Sequence, residues 1–226
     1  VGWLHGYPVS YVPPVGEVAD VDLAATLVAA SLRDPSLPLA VEPCDLRVRV
    51  RKARAPALTI LLLDSSGSMA ASRRISVAKG VASKLVEEAY VRRDFVSLVV
   101  FRGRSAEVAV PPTRNYAELL SALERVPTGG RTPLSAALRA LLEISERARA
   151  KYKYLRVRAV LISDGKANVP LGGRSLREEI ERLAAEVKRR GIELVVYDTR
   201  PRGVLDPAPS YIGILGEIAG AHVHRV

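Results

Sequence analysis

The sequence predicts an α/β fold: a doubly wound, mostly parallel sheet with helices on both faces and one antiparallel edge strand. Continuous apolar runs such as 58–63 have the composition of strands that are covered on both faces. These runs alternate with segments whose apolar residues recur at helical spacing, as in successive strand–helix–strand units. A hydrophobic content of 48% with 26% charged residues excludes a disordered chain.

The chain divides into three predicted parts. Residues 1–19 mix glycine, proline and aromatic residues and are predicted to form an extended N-terminal arm without a core of its own. Residues 20–56 precede the core and are predicted to contain a helix, capped by Asp20 or Asp22, and a half-exposed basic strand. Residues 57–226 carry the alternating pattern and form the predicted main domain.

The elements of the main domain are predicted in order from their apolar patterns. Strands are predicted at 58–63, 95–101, 106–110, 157–162, 192–197 and 221–226. Helices are predicted around 75–89, 116–125, 134–142, 176–187 and 211–219. Because proline cannot donate to a sheet ladder, the third strand is predicted to end at Pro111 and Pro112.

The net charge of +10 lies in two segments, 45–54 and 147–158, which together carry the whole excess of basic residues. The single cysteine, Cys44, excludes an internal disulfide framework and a cysteine-rich zinc site. Since no apolar run is long enough to cross a bilayer and no basic-then-apolar leader opens the chain, we expect no membrane partner and a cytoplasmic location. The first residue is Val1, which leaves room for a longer parent protein.

Oxygen-bearing side chains follow three predicted strand ends. Asp64, Ser66 and Ser68 alternate directly after the first buried strand, Thr132 precedes a predicted helix, and Asp164 follows the strand at 157–162. In sheets of this kind the loops at the carboxyl ends of the strands gather the chemistry. Two carboxylates and three hydroxyls form an all-oxygen set that suits Mg²⁺, and also Mn²⁺, rather than zinc. A carboxylate from a partner protein is the natural sixth ligand.

These five residues match the metal-ion-dependent adhesion site of von Willebrand factor type A domains, which the sequence resembles. The resemblance implies a Rossmann-like sheet in which Asp64, Ser66 and Ser68 hold the metal directly or through water. Thr132 and Asp164 complete the shell.

A narrower resemblance, over about residues 20–226, is to the C-terminal domain of the magnesium-chelatase D subunit and its cobalt-chelatase relatives. It rests on the segments Ala78-Lys79-Gly80, Phe101-Arg102-Gly103, Gly129-Gly130-x-Thr132-Pro133-Leu134 and Ser163-Asp164-Gly165-Lys166-Ala167-Asn168. The resemblance implies a non-catalytic subunit that joins an AAA+ ATPase while a third subunit inserts the metal into a tetrapyrrole. This sequence has no AAA+ module and no Gly-x-x-x-x-Gly-Lys-Ser/Thr motif, so we expect a separate ATPase partner or a fragment of a longer protein.

Two other functions compete with this interpretation. A magnesium-dependent hydrolase with an aspartyl nucleophile would usually carry a second aspartate where Ser66 stands, and no histidine falls near the three loops, so no catalytic residue is predicted. A nucleic-acid-binding protein is suggested by the segment 151–154, which interleaves lysine and tyrosine, but no recognised nucleic-acid motif accompanies it.

The resemblance implies a sheet order in which the strands at 58–63 and 157–162 are neighbours, and each basic segment enters one of these strands from its N-terminal end. We therefore expect them to merge into one partner-binding patch on the side of the sheet opposite the metal loops, able to dock an acidic segment. The predicted residues of this patch are Arg47, Arg49, Arg51, Arg149, Lys151 and Lys153.

Overall fold

The computed structural model describes residues 7–16, 18, 20–52, 55–71, 74–200 and 210–226, and the chain forms two units, residues 1–55 and 56–226. Residues 1–6, 17 and 19 of the predicted arm and Arg54 of the first basic segment lie outside the described residues. No helix in the described ranges is long and apolar enough to span a membrane.

The first unit is built on a two-stranded antiparallel sheet. Strand β1 (Tyr7–Val12) pairs with β2 (Val48–Lys52), so this part of the predicted arm is a strand. Helix α1 (Leu23–Arg33) lies between them in the chain. Asp22 is its N-cap, because its side chain accepts a hydrogen bond from the amide of Ala25 at 3.0 Å.

The second unit contains the six-stranded sheet, with strand order β5-β4-β3-β6-β7-β8. Its strands are β3 (Ala57–Asp64), β4 (Phe95–Arg102), β5 (Ser105–Thr113), β6 (Arg156–Ser163), β7 (Glu193–Asp198) and β8 (His222–Arg225). Its helices are α2 (Gly67–Ala71), α3 (Arg74–Arg92), α4 (Tyr116–Glu124), α5 (Leu134–Lys151), α6 (Leu176–Arg189) and α7 (Ile212–Ala219). All neighbouring strands are parallel except β4 and β5, which confirms the predicted sheet with one antiparallel edge strand.

Two apolar cores cover the two faces of this sheet. Ile60 and Leu62 of β3 pack in the core with α5, α6 and α7. Leu61 and Leu63, which alternate with them, pack in the core with α3 and α4. Since successive side chains of a strand point to opposite faces, a continuous apolar run is what a sheet covered on both sides requires.

The prediction that the edge strand ends at its prolines is wrong. Strand β5 continues through Pro111 and Pro112 to Thr113, which pairs with Val96 of β4. The register shifts twice along this pair of strands, and an edge strand has one side without a partner. Proline is tolerated at such bulges and edges because its missing N–H is not needed there.

The loop after β6 is fixed by a buried carboxylate that the sequence pattern did not single out. Glu179 of α6 is only 3% exposed, and it accepts hydrogen bonds from the amides of Leu171 at 2.7 Å and Gly172 at 2.9 Å. A side chain from the following helix therefore holds the backbone of this loop in place.

We predict that Glu179→Ala lowers the free energy of unfolding by about 2–3 kcal/mol, because two amides lose a charged acceptor. The measurement is urea denaturation. Glu181→Ala is the control, since Glu181 makes only a surface pair with Arg177 and should cost less than about 1 kcal/mol. Equal losses in the two variants would contradict this role of Glu179.

Candidate metal centre

The centre is built at the carboxyl ends of the neighbouring strands β3 and β6. Asp64, the last residue of β3, is fully buried. Its Oδ1 accepts a hydrogen bond from the amide of Ser66 at 2.9 Å, and its Oδ2 accepts one from the hydroxyl of Ser163 at 2.6 Å. Ser163 is the last residue of β6, so this second bond joins the two strand ends.

The environment of Asp64 disfavours its negative charge. Burial raises the pKa of the Asp64 carboxyl to about 6, and the negative charge of Asp164 acts in the same direction. The hydrogen bonds from Ser163 and Ser66 act against this rise in pKa without cancelling it. A divalent cation at this position would supply the countercharge that Asp64 lacks among the described residues.

The two serines of the first loop lie side by side. The hydroxyl oxygens of Ser66 and Ser68 are 3.2 Å apart, with Ser66 buried and Ser68 half-buried. The amide of Gly67 between them donates to the carbonyl of Gly130 at 2.9 Å. This bond ties the first loop to the second, which carries Thr132.

Thr132 is buried and held by a reciprocal pair of hydrogen bonds with Asn168. The amide of Thr132 donates to the side-chain oxygen of Asn168 at 2.9 Å, and the amide of Asn168 donates to the carbonyl of Thr132 at 3.2 Å. The second loop is thereby joined to the third. Sequence reasoning gave Asn168 no role, because nothing in its local pattern shows a contact across 36 residues.

Asp164 follows β6 and is fully buried with a cation beside it. Its Oδ2 accepts a hydrogen bond from the guanidinium of Arg74 at 2.9 Å, and its Oδ1 accepts one from the amide of Lys166 at 3.2 Å. The guanidinium is itself largely buried, and its Nε has no hydrogen-bond partner among the residues that the structure describes. Arg74, the first residue of α3, was not predicted as part of the site.

The next residue, Gly165, must be glycine for two reasons, its backbone conformation and its close packing against a neighbouring side chain. Its φ of +74° lies in the left-handed region that favours glycine. A Cβ at this position would lie 2.4 Å from Cγ1 of Ile212, in the first turn of α7. The loop that carries Asp164 is therefore closely packed against α7.

The donor set fits a hard divalent cation. No group of three or more carboxylate, imidazole or thiol side chains that could hold a metal occurs in the described parts of the chain. The five predicted residues instead offer two carboxylates and three hydroxyls, and oxygen ligands are those that Mg²⁺ and Mn²⁺ prefer. Among the described residues, Arg74 is the one cationic side chain that pairs with either carboxylate, and its partner is Asp164.

Comparisons with known proteins agree with this fold. A family model of the von Willebrand factor type A domain matches residues 59–166. The magnesium-chelatase 60 kDa subunit of Cereibacter sphaeroides is 38% identical over 208 residues, which cover 87% of this chain and 36% of that protein. The chain thus spans about a third of the length of this curated relative.

A second curated protein and a solved structure are also similar to this chain. An uncharacterized protein of Methanocaldococcus jannaschii is 31% identical over 151 residues, which cover 67% of this chain and 83% of that protein. A solved von Willebrand factor type A structure from Catenulispora acidiphila superposes with a TM-score of 0.56 at 16% identity, covering 80% of this chain and 40% of that one. The structural similarity supports the fold alone.

We predict that Arg74→Met makes the metal-free protein less stable and its stabilisation by Mg²⁺ larger. Without the guanidinium, Asp164 is a buried charge without a cationic partner, at a cost of about 3 kcal/mol. In this variant Mg²⁺ would not compete with the Arg74 guanidinium for Asp164, so it should bind more tightly and stabilise the protein more. The measurement is the Tm in EDTA and in Mg²⁺. Arg177→Met, at an exposed pair, is the control and should change neither value; a smaller Mg²⁺ effect in Arg74→Met than in wild type would contradict the prediction.

Proposed function

The chain belongs to the von Willebrand factor type A domain family, and we propose that it is a metal-ion-dependent protein-binding module. The observation that carries the proposal is the pair of fully buried carboxylates, Asp64 and Asp164, at the ends of adjacent strands, in loops that hydrogen bonds tie to the loop of Thr132. Asp64, Ser66, Ser68, Thr132 and Asp164 hold Mg²⁺, directly or through water. When bound there, the ion would act as a Lewis acid toward an aspartate or glutamate of a partner protein.

The chain's own residues prepare this site for a ligand. The hydrogen bonds of Asp64 with Ser66 and Ser163 fix the orientation of its carboxylate before any metal arrives. Three hydroxyls add no negative charge, so the cation keeps much of its attraction for an outside carboxylate.

The proposed setting is a chelatase-like assembly. The support is the identity with proteins named magnesium-chelatase subunits, at 38% over 208 residues in one case and 37% over 167 residues in another. We propose a non-catalytic subunit or adaptor that acts with a separate AAA+ ATPase in the cytoplasm. The metal of the site is then a resident cofactor, distinct from any ion that the assembly inserts.

A second contact is proposed through the basic segments. The two segments belong to different units of the structure. Several of their arginines already have partners: Arg49 and Arg51 pair with Asp20 at 3.7 and 2.6 Å, and Arg149 donates to the carbonyl of Arg190 at 2.6 Å. Arg47 donates to two backbone carbonyls nearby. The proposal therefore rests mainly on Lys151 and Lys153.

We expect Mg²⁺ to raise the Tm of the wild-type protein, because an ion that binds only the folded state stabilises it. Ser68→Ala should weaken this rise, and Asp64→Ala should abolish it. Ser121→Ala, on an exposed face of α4, is the control and should behave like wild type.

Capture of a chelatase-type AAA+ ATPase from the same organism should require Mg²⁺ and fail with Asp64→Ala. If Asp64→Ala binds that partner as tightly as wild type in both Mg²⁺ and EDTA, the adhesion mechanism is wrong.

A further inference from the structure

The end of the sheet opposite the metal loops carries a row of stacked cations and rings. The guanidinium carbon of Arg114 lies 4.1 Å from the ring centroid of Phe95, and the rings of Phe95 and Tyr152 are 4.8 Å apart. The ammonium of Lys151 lies 5.5 Å from the ring centroid of Tyr152. We call these four residues the stacked row. Contacts of this kind are attractive and hold the cations in defined positions.

Strand direction places this row away from the metal centre. Phe95 is the first residue of β4, and Arg114 directly follows β5, which runs antiparallel and ends at the same side. Asp64, in contrast, is the last residue of β3. A strand of this length spans about 26 Å, so the row and the metal loops form two separate surfaces.

Four cationic side chains at this end of the sheet have no acidic partner within the described chain. Arg114, Lys151, Lys153 and Arg156 are all exposed, and no carboxylate of the described residues lies within ion-pair distance of any of them. Arg158, two residues further along β6, does have such a partner, Glu193, at 3.5 Å.

Tyr154, in the turn after α5, presents its ring to solvent from an unfavourable backbone conformation. It is 86% exposed, and its φ of +61° lies in the left-handed region that favours glycine. No ring–ring or cation–ring contact of Tyr154 is found among the described residues. A large aromatic residue that strains the backbone without packing in the fold indicates a use outside the fold.

We propose that this end of the sheet binds an acidic peptide segment of a partner protein. Carboxylates of the segment pair with the exposed cations, and an apolar side chain packs on Tyr154. Arg114 and Arg156 are separated by three strand spacings, roughly 14 Å, which an extended segment of about five residues spans. The inference deepens the second contact of the proposed function, and it does not depend on the metal.

The observations favour a peptide over a nucleic acid. Arg114 and Lys151 lie over the rings of Phe95 and Tyr152, which also contact each other. These rings are thus not free to stack on successive bases, which is how single strands are bound without sequence preference. Tyr154 alone offers an open ring face.

The test uses a fluorescein-labelled peptide of sequence Glu-Glu-Leu-Glu-Glu-Leu-Glu-Glu, titrated with the full chain in EDTA. We expect binding that weakens as salt is added. The double variant Lys151→Glu with Lys153→Glu should lose roughly tenfold or more in affinity. Arg104→Glu, an exposed charge reversal at the other end of the sheet, is the matched control and should bind like wild type.

Tyr154→Gly separates binding from folding. Glycine suits the left-handed conformation, so the Tm of this variant should equal or exceed that of wild type while its peptide affinity falls. Equal affinity of the double variant and the Arg104→Glu control would overturn the proposal. Tighter binding of an oligothymidylate than of the peptide, lost in the double variant, would also overturn it and identify a nucleic-acid surface. Because the double variant should keep the wild-type rise of Tm in Mg²⁺, failure of this proposal and failure of the metal proposal are distinguishable.

Discussion

The burial of two carboxylates at the end of an apolar sheet is the constraint on which the rest of the centre depends. Asp64 and Asp164 lie where β3 and β6 leave the core, and neither is exposed to water. Buried charges are tolerated only where hydrogen bonds or opposite charge surround them. The serine hydroxyls, the loop amides and the guanidinium of Arg74 meet this requirement in the described structure, and the three loops adopt the courses that bring these groups into place.

Local pattern was enough to predict the fold, and it also selected the five oxygen-bearing residues of the proposed metal site. Burial leaves a periodic pattern of apolar residues in the local sequence, from which strands and helices can be predicted. Asp64, Thr132 and Asp164 could be placed because each lies beside the end of such an element. Arg74, Ser163 and Asn168 could not be assigned in this way. Their roles arise from contacts between loops distant in sequence, such as the bond between Ser163 and Asp64, 99 residues apart.

The predicted basic segments show the same limit. Charge counting found residues 147–158, but it could not show that Arg149 is bound to a backbone carbonyl or that Arg49 and Arg51 have acidic partners. It also missed Arg114. The antiparallel return of β5 along β4 places Arg114 over the ring of Phe95, and this ring in turn contacts Tyr152. Net charge is a property of the sequence, whereas unpaired charge is a property of the fold.

The prolines of β5 have a consequence for how the sheet can meet other proteins. An open edge strand offers a line of amides on which a foreign strand can pair, the route to unwanted assembly. Pro111 and Pro112 carry no amide N–H, so this part of β5 has fewer donors to offer a foreign strand, and the other edge, β8, has only four residues. Lateral extension of the sheet is therefore disfavoured at both borders, and the ends of the strands, where the loops carry the side chains that bind, are left as its contact surfaces.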